Sequence, residues 1–162
     1  MNMIALFFLL FGDPFVPGDP FHVNLHQLHA EEYSIIMNAA ERNGIDRFDH
    51  ENIAILFAIR KVENGRKGRE FGVLHPRALG EDSENWQVTL DRQAGWAAAT
   101  IMKNRKRWID AGMKEDFLVF LGSRYAPIGV ENDPKGLNRH WIPNMRKHVR
   151  SIMAFSQRPK VA

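Results

Sequence analysis

Residues 49–65 read DHENIAILFAIRKVENG, and this stretch decides the fold. Asp49 suits a helix N-cap, Ile53, Leu56, Ile59 and Val62 recur at spacings of three, and Asn64-Gly65 supplies a stop signal. The pattern predicts a helix that turns an apolar face into a core. Glu63 lies seven residues beyond Leu56 and four beyond Ile59, which puts it on that same inward face. A carboxyl group at the inner end of a buried helix is partly desolvated. Desolvation favours the neutral acid and raises the pKa toward the range in which a general acid works. The same spacing also fits a helix-end glutamate turned to Arg60 or Arg66 in water.

Working outward, residues 24–42 read as a helix that stops at Asn43-Gly44. Residues 65–84 hold four glycines and short apolar pieces such as Phe71-Gly72-Val73-Leu74, which predicts a small β-hairpin or irregular lobe. Thr89 opens the most regular helical pattern, with Leu90, Ala94, Ala97, Ile101 and Trp108 in step. Residues 116–122 form a short apolar helix and residues 126–138 a loop. Pro143 suits the first turn of a last helix whose stripe is Met145, Val149 and Ile152. The expected fold is mainly α, a helical bundle around the Glu63-bearing helix.

Composition narrows the chemistry. A chain of 162 residues, 44% hydrophobic and 25% charged, fits one globular domain able to bury roughly two thirds of its unfolded surface. Without cysteine it has no disulfide, thiol nucleophile or thiolate-held metal. Residues 3–11 are nine apolar residues in a row, too few for a spanning helix, for which roughly 20 are needed. They lack the basic n-region and the small-residue cleavage site of an export signal. Residues 1–21 therefore read as an apolar arm or signal-like segment plus a Pro/Gly linker, residues 22–156 as the folded domain and residues 157–162 as a tail. Charge is uneven: residues 1–102 carry nine Lys/Arg against fourteen Asp/Glu, and residues 103–162 carry thirteen against five. Such a basic end attracts an anionic partner without selecting among anionic polymers. His22, His26 and His29 share a helical face, yet exposed histidines are common and a metal site is not expected there.

The context of Glu63 resembles the soluble lytic transglycosylase and goose-type lysozyme families. Four motifs carry the resemblance in order across residues 50–153. The helix ending Ala58-Ile59-Arg60-Lys61-Val62-Glu63-Asn64-Gly65 resembles the family's catalytic-glutamate helix. Glu70-Phe71-Gly72-Val73-Leu74-His75 is similar to its Gly-Leu-Met/Tyr-Gln segment, and Ser123-Arg124-Tyr125-Ala126-Pro127-Ile128-Gly129 to its Ala-Tyr-Asn-Ala-Gly motif. Pro143-Asn144-Met145-Arg146-Lys147-His148-Val149 echoes the closing helix. Val73-Leu74-His75, Arg124 and Pro127 depart from the pattern. Asn132-Asp133-Pro134 and the segment from Gly136 to Trp141 look like an added loop beside the cleft, reminiscent of transglycosylase-like domains of phage particles and bacterial envelopes.

The resemblance implies an α+β lysozyme-like fold and cleavage of the β-1,4 bond between N-acetylmuramic acid and N-acetylglucosamine, with Glu63 as the catalytic acid and base. It implies Glu70 as a candidate second carboxylate, which can equally pair with Arg66 or Arg69. Gly72, Val73, His75, Tyr125, Asn132 and Trp141 are the implied substrate contacts, although Gly72 also fits a plain turn and Tyr125 an ordinary core tyrosine. No cofactor and no metal are expected. The implied partners are peptidoglycan glycan strands, in a cell envelope, outside the cell or on a phage virion, bound by a monomer with no transmembrane segment. A two-carboxylate lysozyme and a catalytically silent wall-binding or virion-structural domain remain alternatives. Nucleic-acid binding through residues 103–107 and 146–150 is a further alternative, which the expected partners set aside.

Overall fold

The computed structural model describes residues 19–131 and 133–154. The expectations for the apolar arm at residues 3–11, for Asn132 and for the tail at residues 157–162 lie outside the described residues. The fold is mainly helical: α1 (Pro20–Leu28), α2 (Tyr33–Arg42), α3 (His50–Glu63), α4 (Trp86–Asp110), α5 (Phe117–Tyr125), a 3-10 turn (Leu137–His140) and α6 (Trp141–Met153). Among the described residues no helix is long and apolar enough to cross a membrane.

The centre is α3. Asp49 caps it by accepting from the Asn52 amide at 3.1 Å, and every residue from Asn52 to Ile59 is buried, so its middle is covered on all sides. It packs chiefly along α6 and also touches α2 and α4, while α5 closes against α4 and α6. Asn64, in the left-handed region at φ 43°, ends α3 one residue beyond Glu63. The expected stripes are inside: Leu90, Ala94, Ala97, Ile101 and Met145 are fully buried, and Trp108 and Val149 pack partly buried against the core.

Three boundaries differ from the sequence-based expectation. Folding begins before residue 22: Asp19 accepts from the Phe21 amide at 2.9 Å and Pro20 occupies the first turn, so residues assigned to a linker are a capping device. The single helix expected over residues 24–42 is broken at residues 29–32. The break lets the Tyr33 hydroxyl reach His22 Nδ1 at 2.8 Å and Glu32 reach Arg60, tertiary contacts that override local helix pattern. Thr89 lies inside α4's first turn, because Asn85 caps four residues earlier by accepting from the Gln87 amide at 2.8 Å.

The β-hairpin is not formed, and no strand occurs among the described residues. Residues 64–85 are instead an irregular lobe, the other form expected for this stretch. Buried Gln93 on α4 does the work of a neighbouring strand. Its Oε1 accepts from the Phe71 and Val73 amides, both at 3.2 Å, and its Nε2 donates to the Val73 and Ala78 carbonyls at 2.9 and 2.8 Å. One amide side chain thus satisfies four backbone groups that would otherwise be stranded.

Gln93→Leu keeps the volume but leaves those four groups without a partner. It is expected to destabilise the protein by about 2–4 kcal/mol in urea unfolding, since each buried unsatisfied group costs about 1–3 kcal/mol and water reaches some of them. A loss below about 1 kcal/mol would show that the lobe does not depend on Gln93.

Candidate active site

Glu63 sits where α3 ends and four segments converge. The first residue of α6, Trp141, donates its indole Nε1–H to Glu63 Oε1 at 2.8 Å. Trp141 is 5% exposed, and its ring stacks on that of Tyr125, the last residue of α5, at a centroid separation of 5.6 Å and 24° between planes. Gly122, one turn before Tyr125, makes room for this contact: a Cβ there would lie 2.9 Å from Ile142 and 3.2 Å from the Trp141 ring. The Tyr125 hydroxyl donates to the Phe71 carbonyl at 2.5 Å. The next residue, Gly72, closes the circuit back to the acid. With φ at 67° it occupies the left-handed region, and a Cβ there would lie 2.3 Å from Glu63 Oε2. A side chain at position 72 would strain the backbone and displace the Glu63 carboxyl.

Burial pushes the Glu63 carboxyl above the usual range for a glutamate, and the Trp141 hydrogen bond partly opposes the shift. Because the indole can only donate, it occupies Oε1 and leaves Oε2 to carry the proton. The Tyr125 phenol is held well above its ordinary pKa by burial and by the charge of Glu63, so it stays protonated. Glu63 lines a hollow of about 410 Å³ together with Leu137, Asn138, His140, Trp141 and Asn144. Gly72 and Tyr125 line a second, of about 340 Å³, with Val73, Leu74, Thr100, Arg124 and Pro127. Among the described residues Glu63 is the one carboxylate lining either hollow.

The loop expected beside the cleft forms part of the wall. Asp133, 8% exposed, accepts from the Leu137 amide at 2.7 Å and the Asn138 amide at 3.2 Å, and Asn138 donates to the Pro127 carbonyl at 2.8 Å. These bonds hold the 3-10 turn that brings Leu137, Asn138 and His140 to the hollow.

Four of the residues expected at the site, Glu63, Gly72, Tyr125 and Trp141, thus form one connected group. Their arrangement differs in detail from the expectation. Tyr125 commits its hydroxyl hydrogen to the Phe71 carbonyl and not to Glu63. Trp141, implied as a substrate contact, is largely buried and holds the acid through its N–H. Val73 reaches the second hollow with its backbone tied to Gln93. His75 is turned onto the Trp96 ring, stacked at 4.5 Å. Glu70 is 4% exposed inside the lobe, its Oε1 accepting from the Gly68 amide at 2.9 Å and the Thr89 hydroxyl at 2.6 Å. It lines neither hollow, and it pairs with neither Arg66 nor Arg69 among the described contacts. Asn138, Asn144 and Arg124 were not singled out as substrate contacts in the sequence. Nothing in their spacing marks them, because a loop and a separate helix bring them to the hollows.

Of the three histidines, His22 is buried, its Nε2 donating to the Arg47 carbonyl and its Nδ1 accepting from Tyr33, both at 2.8 Å. Asp19, His22 and His50 bring ligand atoms within 4.8 Å of one another, but both nitrogens of His22 are already engaged, which does not fit a metal ligand. No protein family, curated protein or solved structure matches the chain.

The raised pKa has a stability consequence with a definite sign. The folded state holds the Glu63 proton more tightly than the unfolded chain, so its contribution is fully present below the unfolded pKa and is lost as pH rises through the folded one. Glu63→Gln should therefore gain stability relative to the parent in denaturant unfolding at pH 8 and show no such gain at pH 4. Trp141→Phe removes the opposing N–H and should raise the Glu63 pKa further in a carboxyl-carbon NMR titration. An unchanged or lowered value would show that the indole bond does not form in solution.

Proposed function

We propose that the protein cleaves the β-1,4 bond between N-acetylmuramic acid and N-acetylglucosamine in peptidoglycan, with Glu63 acting alone as acid and then base. The observation that carries the reading is a half-buried carboxyl group with a raised pKa, held by one neutral donor, with no second carboxylate lining the adjoining hollows among the described residues. The order of motifs that resemble the lytic transglycosylases adds to it.

Protonated Glu63 gives its Oε2 proton to the glycosidic oxygen as the bond to the anomeric carbon breaks. The positive charge developing on that carbon needs a nearby nucleophile. A two-carboxylate hydrolase supplies it from a second acid a few ångströms away. Glu70 is buried behind Gly68 and Thr89 and lines neither hollow, so the substrate's own 2-acetamido oxygen is the better partner here. The Glu63 carboxylate then takes the proton of the sugar's 6-hydroxyl, whose oxygen closes on the anomeric carbon and releases the acetamido group. The product is a 1,6-anhydro sugar. Tyr125 acts as a positioning residue: by holding the Phe71 carbonyl it fixes Gly72 against the acid. Cell wall, in an envelope or reached from a phage particle, is the setting this chemistry implies.

Glu63→Gln keeps the acceptor for Trp141 and loses the transferable proton. It is expected to fold and to release glycan from purified sacculi at least about 100-fold more slowly, general acid catalysis being worth about 10²–10⁴. Mass spectrometry of the parent's products should find muramic ends lighter by one water than hydrolysed ends. Near-parent activity of the folded variant would remove Glu63 from the chemistry, and hydrolysed ends would replace the transglycosylase by a lysozyme.

A further inference from the structure

We propose that the hollow beside Tyr125 takes a sugar bearing a carboxylate, and that Arg124 selects that carboxylate. The inference rests on the glycan-cleaving reading of Glu63 and names what the second hollow recognises.

Arg124 precedes Tyr125 in α5, and its guanidinium is held on two sides. Its central carbon lies 3.7 Å from the centroid of the Phe120 ring. Its Nη1 donates to the Phe120 carbonyl at 2.9 Å and to the Ser123 hydroxyl at 3.0 Å. The stacking fixes the plane, and the two bonds occupy one end of the group. The opposite edge, formed by Nε and Nη2, is the pair of parallel N–H donors that matches the two oxygens of a carboxylate. No ion pair among the described residues includes Arg124, although the side chain is exposed. An arginine held in place with its fork unspent loses little entropy on binding.

The rest of the hollow is neutral. Gly72, Val73, Thr100 and Pro127 offer backbone, apolar and hydroxyl surface to a sugar ring and no competing charge. Beyond Thr100, α4 carries exposed Lys103 and Arg107 on the same face, one and two turns on. Farther along α4, Asp110 pairs with Lys106. The field over this end of the hollow therefore favours an anion. On a muramic-type sugar a carboxylate has two sources, the lactyl group of an unsubstituted ring or the peptide stem attached to it.

The test measures kcat/KM of the full chain on two pairs of glycans: denuded strands against their lactyl amides, and stem-bearing strands against their carboxamides. Amidation of the recognised source is expected to lower kcat/KM by about 10- to 100-fold, mainly through KM, the range of a charge-assisted paired contact. The pair that responds identifies the source. Arg124→Gln should bring the acid-to-amide ratio near unity, and Arg124→Lys, which keeps the charge but not the fork, should fall between. If either variant fails to fold, the parent's own ratio still decides. Cleavage of acids and amides at equal rates would overturn the role of Arg124 and leave the reading of Glu63 standing. If no glycan is cleaved, that reading falls, and calorimetric binding of a muramyl dipeptide against its amide decides the inference. A preference for the acid that is lost in Arg124→Gln upholds it, and equal or absent binding of both overturns it.

Discussion

One hydrogen bond, from the Trp141 indole to Glu63, ties the end of the most buried helix to the start of the last one across 78 residues of chain. Neither partner has an alternative that the fold would tolerate. An indole N–H buried at 5% exposure must find an acceptor, and a carboxyl group at the end of an apolar helix must find a donor. The bond satisfies both and sets the register of α6 along α3. It also fixes Trp141 against Tyr125, which fixes Phe71, which fixes Gly72 against the other oxygen of the acid. The lobe, α5 and α6 thus each meet this connected group through a directed contact, in addition to the Gln93 bonds that hold the lobe and the packing of α6 along α3.

The helices were legible from the sequence because their signals are local. Asp49 and Asp116 cap where they stand, Asn64 and Gly44 stop helices by adopting positive φ, and α3 and α4 carry their core residues at helical spacing. Glu63 was legible for the same reason, since its face is counted along one helix. What escaped was decided by contacts between distant residues. The lobe has the composition of a hairpin, but its backbone groups are claimed by Gln93 from α4, and no period in residues 65–84 reports a glutamine that follows them. The role of Trp141 escaped likewise: spacing placed it beside the loop, whereas its hydrogen bond depends on how α6 lies on α3. Arg124 registered only as a departure from a motif, because its stacking on Phe120 and its bonds to Phe120 and Ser123 appear only in the fold.

Glu70 and Glu63 make the contrast between a carboxylate closed inside the fold and one that borders a hollow concrete. Both are withdrawn from water, and they stand seven residues apart. Glu70 Oε1 binds a backbone amide of its own lobe and the Thr89 hydroxyl of α4, and the residue opens onto neither hollow. Glu63 has one donor, a glycine in place of a side chain over its second oxygen, and a hollow in front of it. Withdrawal from water alone would not separate them. A vacant oxygen would not either, since Glu70 Oε2 also has no hydrogen-bond partner among the described residues; access to a hollow does.

The break between α1 and α2 acquires its meaning from the same acid. Arg60 lies one helical turn before Glu63, close enough that a pairing between them was among the readings open in the sequence. A guanidinium there would stabilise the carboxylate, pull its pKa down and leave no proton to give. Glu32, in the turn that breaks the expected long helix, takes Arg60 instead: Nη2 donates to Oε1 at 2.7 Å and Nε to Oε2 at 3.1 Å, a paired contact. The remaining end of Arg60 reaches the Glu70 carbonyl at 3.4 Å and so is turned toward the lobe. An uninterrupted helix over residues 24–42 would carry Glu32 in its middle, without the turn that now presents it to Arg60. The interruption that local pattern could not foresee thus accompanies a carboxylate partner for Arg60 other than Glu63, whose own partner is a neutral indole.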